Sequence, residues 1–163
     1  AHMEMTARGL DDQVAGLSPA QLAFRPSPNA WSILDVVDHL VVVGPIYWKN
    51  LQDATPVSAG RVGAMNDADV LWYGIDRTQR TTTGEARVPR GQYPDFKTAH
   101  ASFKKLRAEM MKTATDSQED LRGRQFLTAS QDLYQWFLMI SSHSHRHIMQ
   151  IREVKAHKGF PRR

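Results

Sequence analysis

Three histidines stand within five residues of the stretch SSHSHRHIMQIRE, residues 141–153: His143, His145 and His147. Neutral imidazole is a common ligand for divalent metals. On a helix, His143 and His147 lie about 40° apart in azimuth and about 6 Å apart along the axis, so their rings can converge on one point. His145 is turned about 200° from His143 and should face outward, away from any such site. The pair continues an apolar stripe of Trp136, Ile140 and Ile151. Burying two imidazoles in such a seam costs several kcal/mol unless each finds a partner, and a metal ion serves both.

Two ligands leave a metal underbound, so a third should come from another helix. His39, beside the core position Leu40, is the better candidate; His100, between Phe96 and Phe103, competes with it. Three neutral imidazoles with a fourth position open to water are the catalytic type of zinc site, and nickel or iron would accept the same donors. A packed, metal-free cluster is the alternative that spacing leaves open. Around these residues, Arg146 could hold an anionic substrate or stand exposed on the helix flank. Gln150 could bond a ligand or cap the polar edge of the seam. Asp35, one turn before His39, could orient an imidazole or be an exposed helix carboxylate. His157, near the chain end, reads as solvated.

Four long helical segments must position these groups. The first spans about residues 4–17. The second runs over about 30–51, with Ser27 and Asn29 as possible caps. Its Gly44–Pro45 pair predicts a kink or a break. The third covers about 94–115, with Phe96, Ala99, Phe103, Leu106 and Met110 on one stripe. The fourth spans about 130–156, where Thr128 and Gln131 resemble a capping box. A short helix is expected within residues 67–80 and polar loops at 81–94 and 116–129. Long helices with little strand signal predict an all-α, antiparallel four-helix bundle.

The 163 residues suit one domain. Residues 1–3 read as a cloning remnant, so His2 is set aside, 4–158 form the domain and 159–163 a short basic tail. There is no cysteine, so thiolate ligands and a cysteine nucleophile are excluded, and a cytoplasmic location is expected. No apolar run reaches the roughly 20 residues of a membrane span, and no secretory signal is visible. The net charge is +4: residues 1–96 hold 8 basic and 11 acidic side chains, residues 97–163 hold 13 and 6. The basic residues follow no known nucleic-acid-reading motif, so a solvated basic face is the preferred reading.

The blocks RPSPNAWS (25–32), WSILDVVDHL (31–40) and HSHRHIMQI (143–151) together resemble the DinB-like/YfiT-like superfamily. The resemblance spans about residues 20–156. It implies an antiparallel four-helix bundle with a three-histidine metal site, here His39, His143 and His147, which favours His39 over His100. It also implies a metal-dependent hydrolase, or a thiol S-transferase using an exogenous low-molecular-weight thiol, acting on a small-molecule substrate. A homodimer is a further expectation. Many relatives have an acidic residue soon after the second-helix histidine; here HLVVVGPIYW has none before Asp53, so a general base there is not expected. A non-catalytic metal-binding or interaction module is the alternative.

Overall fold

In the computed structural model, which describes residues 1–56, 66–79, 83–93, 95–125 and 131–162, six α-helices follow one another. They are α1 (His2–Val14), α2 (Pro19–Ala23), α3 (Ile33–Gln52), α4 (Asp67–Ile75), α5 (Phe96–Asp116) and α6 (Leu133–Ala156). A short 3₁₀ turn, Glu85–Arg87, lies between α4 and α5. The long helices α1, α3, α5 and α6 form the bundle, with α4 laid along α6. A two-residue antiparallel pairing, Thr55–Pro56 with Arg124–Gln125, ties the α3 and α6 approaches together. Among the described residues, no helix is long and apolar enough to cross a membrane.

Local chemistry sets the helix starts. The cap of α3 is Ser32, not Ser27 or Asn29. Ser32 accepts from the Asp35 amide, and Asp35 accepts from the Ser32 amide in return. Two orphan amides are satisfied at once. Asp132 and Gln135 make the same reciprocal cap for α6. The expected Thr128 cap lies outside the described residues. Helix α1 begins at His2, with Met3 buried against the bundle and His2 Nδ1 2.7 Å from Ser141 Oγ. At the other end, residues 159–161 are pinned rather than trailing. Phe160 packs edge-on against Phe24, and Gln21 donates to the Pro161 carbonyl.

The expected break at Gly44–Pro45 does not occur: α3 runs through both residues. Proline costs one backbone bond, but Val41, Val43 and Tyr47 on either side are buried and hold the segment in line. Gly44 has a packing reason. A β-carbon there would come 2.7 Å from Leu106 Cδ2, so glycine lets α5 approach α3 closely.

Two apolar clusters make the core. One gathers around Leu10, Val36, Val37, Phe103 and Ile151, the other around Val43, Leu51, Met110 and Phe137. In α5 and α6 a buried polar set falls in the sequence between them: Arg107, His143, Ser144 and His147. Each fully buried aliphatic side chain in these clusters contributes about 1.5–3 kcal/mol. Rings seated between two such clusters have little freedom to move.

Candidate metal centre

Helix α3 brings His39 and helix α6 brings His143 and His147 to one point. The Nε2 atoms of His39 and His143 are 3.2 Å apart, and those of His143 and His147 are 3.1 Å apart. One ring nitrogen from each lies within 4.8 Å of the others, and all three residues are buried. Two ligands on a tetrahedral ion with bonds of about 2.05 Å stand about 3.3 Å apart, so the spacing fits a shared cation.

The far ring nitrogens decide which atoms face the centre. His39 Nδ1 donates to the Arg87 carbonyl at 2.6 Å, and His147 Nδ1 to Gln150 Oε1 at 2.9 Å. Both Nε2 atoms are thereby left as lone pairs. A ligating histidine is held in this way by its outer partner. A proton on His143 Nε2 would leave the centre crowded with acceptors, whereas a divalent ion satisfies all three. Desolvation by burial lowers the pKa of each ring, His147 to about 3 and His143 well below the ordinary value. Smaller repulsion from the neighbouring rings adds to this at His143 and His147. The imidazoles are therefore neutral at neutral pH, the form that ligates.

Asp38, next to His39 and buried, builds the outer support. Its Oδ2 accepts from the Arg90 amide at 2.5 Å and the Gly91 amide at 2.9 Å. Gly91 has φ +60°, a turn that glycine adopts without strain. This anchor fixes the irregular segment 83–93 over α3 and sets the Arg87 carbonyl against His39. Asp38→Ala is expected to weaken metal binding about 10–100-fold, the usual effect of removing such support. Competition against a chromophoric chelator measures it; unchanged affinity would refute the role.

The other expected residues are placed differently. Asp35 does not orient an imidazole: its oxygens go to Ser32 and to Arg25. Arg146 is neither exposed nor free for a substrate. It is buried, and its guanidinium donates to the carbonyls of Tyr73, Asp76 and Gln79, capping the end of α4 with positive charge. Gln150 bonds His147 as described. His100 faces α1, 2.8 Å from Asp11, and does not join the centre. His145 packs on His2, away from the trio. His157 is half-buried against Phe24 rather than fully solvated.

An open cleft of about 730 Å³ reaches all three histidines, within the usual range for small-molecule sites. Trp31 forms one wall, its ring parallel to His147 and 4.9 Å from His39. Tyr47 stands edge-on to His143, 5.3 Å between centroids. Burial pushes its phenol up to about 12, so it stays protonated. Asp38, Arg87 and Tyr47 do not stand out as site residues in the sequence. The available signals were a carboxylate inside the apolar run VVDHLVV and a phenol that must find a partner when buried.

Comparison with known proteins supports the fold. The profile of the DinB superfamily matches residues 2–151. Among solved structures, YfiT from Bacillus subtilis, described as a probable metal-dependent hydrolase with an unusual four-helix bundle topology, is similar. It shares 17% identity over 98% of this chain and 85% of that one, with a TM-score of 0.53. No curated protein matches.

Proposed function

Because the chain belongs to the DinB superfamily, we propose that it is a divalent-metal enzyme acting on a small-molecule electrophile, with His39, His143 and His147 as ligands. The observation that carries this is the convergence of three imidazole nitrogens at 3.1–3.2 Å spacing on an open cleft. A closed site would suit storage or structure; access from a cleft supports chemistry. Zinc, nickel and iron all suit the donor set.

Hydrolysis is the leading reading, in keeping with the description of YfiT. When bound, the ion supplies Lewis acidity and lowers the pKa of a coordinated water or thiol. The chain's own residues do the rest. Arg87 and Gln150 hold two rings in register through their Nδ1 protons, and Trp31 shields one side of the centre from solvent. Tyr47 presents a neutral hydroxyl that has no hydrogen-bond partner among the described residues. It is placed to donate to oxygen on which negative charge develops. Tyr47→Phe should lower kcat about 10²-fold with metal content unchanged; an unaltered kcat would remove Tyr47 from the machinery.

One observation favours thiol S-transfer as a second reading. Glu153, the carboxylate among the described residues lining the cleft, is held in a two-pronged pair with Arg77 at 2.8 and 2.9 Å. It is poorly free to act as a base for water, whereas a thiol would need none, because the ion, when held by the three histidines, would favour its deprotonated form. With no cysteine in the chain, that thiol would be a small molecule. The same lack of cysteine fits a cytoplasmic protein.

The test is turnover of a panel of esters, amides and alkylating electrophiles by metal-loaded protein, with and without added low-molecular-weight thiol. Metal-dependent turnover that vanishes in His143→Ala is expected, and thiol dependence assigns the class. Equal activity in metal-free protein would refute the proposal.

A further inference from the structure

Three guanidinium groups among the described residues line the cleft, and they are not equivalent. Arg77 is neutralised by Glu153. Arg146 is spent on backbone carbonyls at the end of α4. Arg87 is exposed, lines the cleft beside the three histidines, and has no carboxylate partner among the described residues. Its own carbonyl is bonded to His39 at 2.6 Å, so its position relative to the centre is fixed at the main chain. Asp38 holds the two residues that follow Pro89, which keeps this segment from drifting.

We propose that Arg87 reads an anionic, carboxylate-type group on the substrate while the reacting atom sits at the His39–His143–His147 centre. This rests on the metal-enzyme reading above and narrows its substrate class. A guanidinium offers a planar fork of donors that matches a carboxylate. Trp31 and Tyr73 add aromatic surface to the cleft lining, so a small molecule with one anionic end and an uncharged body fits better than a highly charged one.

The experiment uses two metal-binding probes of similar length, propionohydroxamate and succinic monohydroxamate. Both present a hydroxamate to a metal; only the second carries a carboxylate. Binding to metal-loaded protein is followed by titration calorimetry. The succinic probe should bind wild type about tenfold more tightly than the propionic one, as a charge-assisted contact of this kind provides. Arg87→Gln should erase that advantage, bringing the ratio of the two affinities, measured on metal-loaded variant, to about one. Arg87→Lys should retain part of it. Equal affinity of the two probes for wild type, or an advantage that survives in Arg87→Gln, would overturn the proposal alone. Failure of both probes to bind would overturn the metal reading, and this inference with it.

Discussion

His143→Ala is expected to abolish tight metal binding. Its Nε2 is the atom shared by both short contacts, at 3.2 Å to His39 and 3.1 Å to His147, so no pair left behind retains that spacing around one point. Apparent binding energies of closed four-ligand zinc sites are about 10–16 kcal/mol, or about 2.5–4 kcal/mol per ligand, so affinity should fall about 10²–10³-fold. The same substitution has a second reading in stability. An ion present at about 1,000 times its Kd stabilises the folded state by about 4 kcal/mol, and chelation should then lower the wild-type Tm by about 8–16 °C. In His143→Ala, where the same ion concentration is about 1–10 times Kd, the chelator should shift Tm by only about 1–6 °C. A chelator-induced shift as large as that of wild type would mean that the ion sits elsewhere.

Gly74→Ala is expected to be strongly destabilising. A β-carbon at Gly74 would lie 2.7 Å from the Ser142 carbonyl oxygen and 2.9 Å from its Cα. These are backbone atoms of α6 one residue from His143, and backbone cannot rotate aside as a side chain can. Helix α4 must therefore move off α6. That motion would also pull the carbonyls of Tyr73 and Asp76 away from Arg146. Overpacking of this kind costs about 1–3 kcal/mol and occasionally more. A loss near 3 kcal/mol corresponds to a fall in Tm of about 6–12 °C. Gly84→Ala is the control: nothing lies within 4 Å of the added carbon, and the change should stay within about 0.5 kcal/mol. Equal denaturation midpoints for the two variants would show that α4 is not held against α6 as described.

What could be read beforehand was what repeats along a helix. The i,i+4 spacing of His143 and His147 within a stripe of Trp136, Ile140 and Ile151 identifies a shared face from the sequence, because helical geometry is local. His39 was preferred to His100 for its place beside Leu40 and for the block in which it sits. Structurally, His100 is claimed by Asp11 on α1, a contact 89 positions away in the chain that no periodicity reveals. The partners of the rings were illegible for the same reason. Arg87 supplies a backbone carbonyl, which any residue type could do, and reaches His39 across 48 residues through an irregular segment.

The charged residues misled where two local demands competed. Asp35 is one turn from His39 but also three residues after Ser32, and the two amides at the helix start claim it. Arg146 stands beside His147 in sequence, yet the unsatisfied carbonyls ending α4 take its donors. Nothing along α6 signals that another helix ends there. At Pro45 the local rule predicted a kink or a break, and burial of the flanking residues kept the helix unbroken.

The central claim is that three imidazoles hold one ion in an accessible position. X-ray absorption at the metal edge, on protein loaded with a single equivalent of zinc, addresses it directly. About one ion per chain should be found, with three imidazole nitrogens at about 2.0–2.1 Å and at least one oxygen ligand. A shell of oxygens with fewer than two imidazoles, or a spectrum unchanged when His39, His143 and His147 are all replaced by alanine, would contradict it.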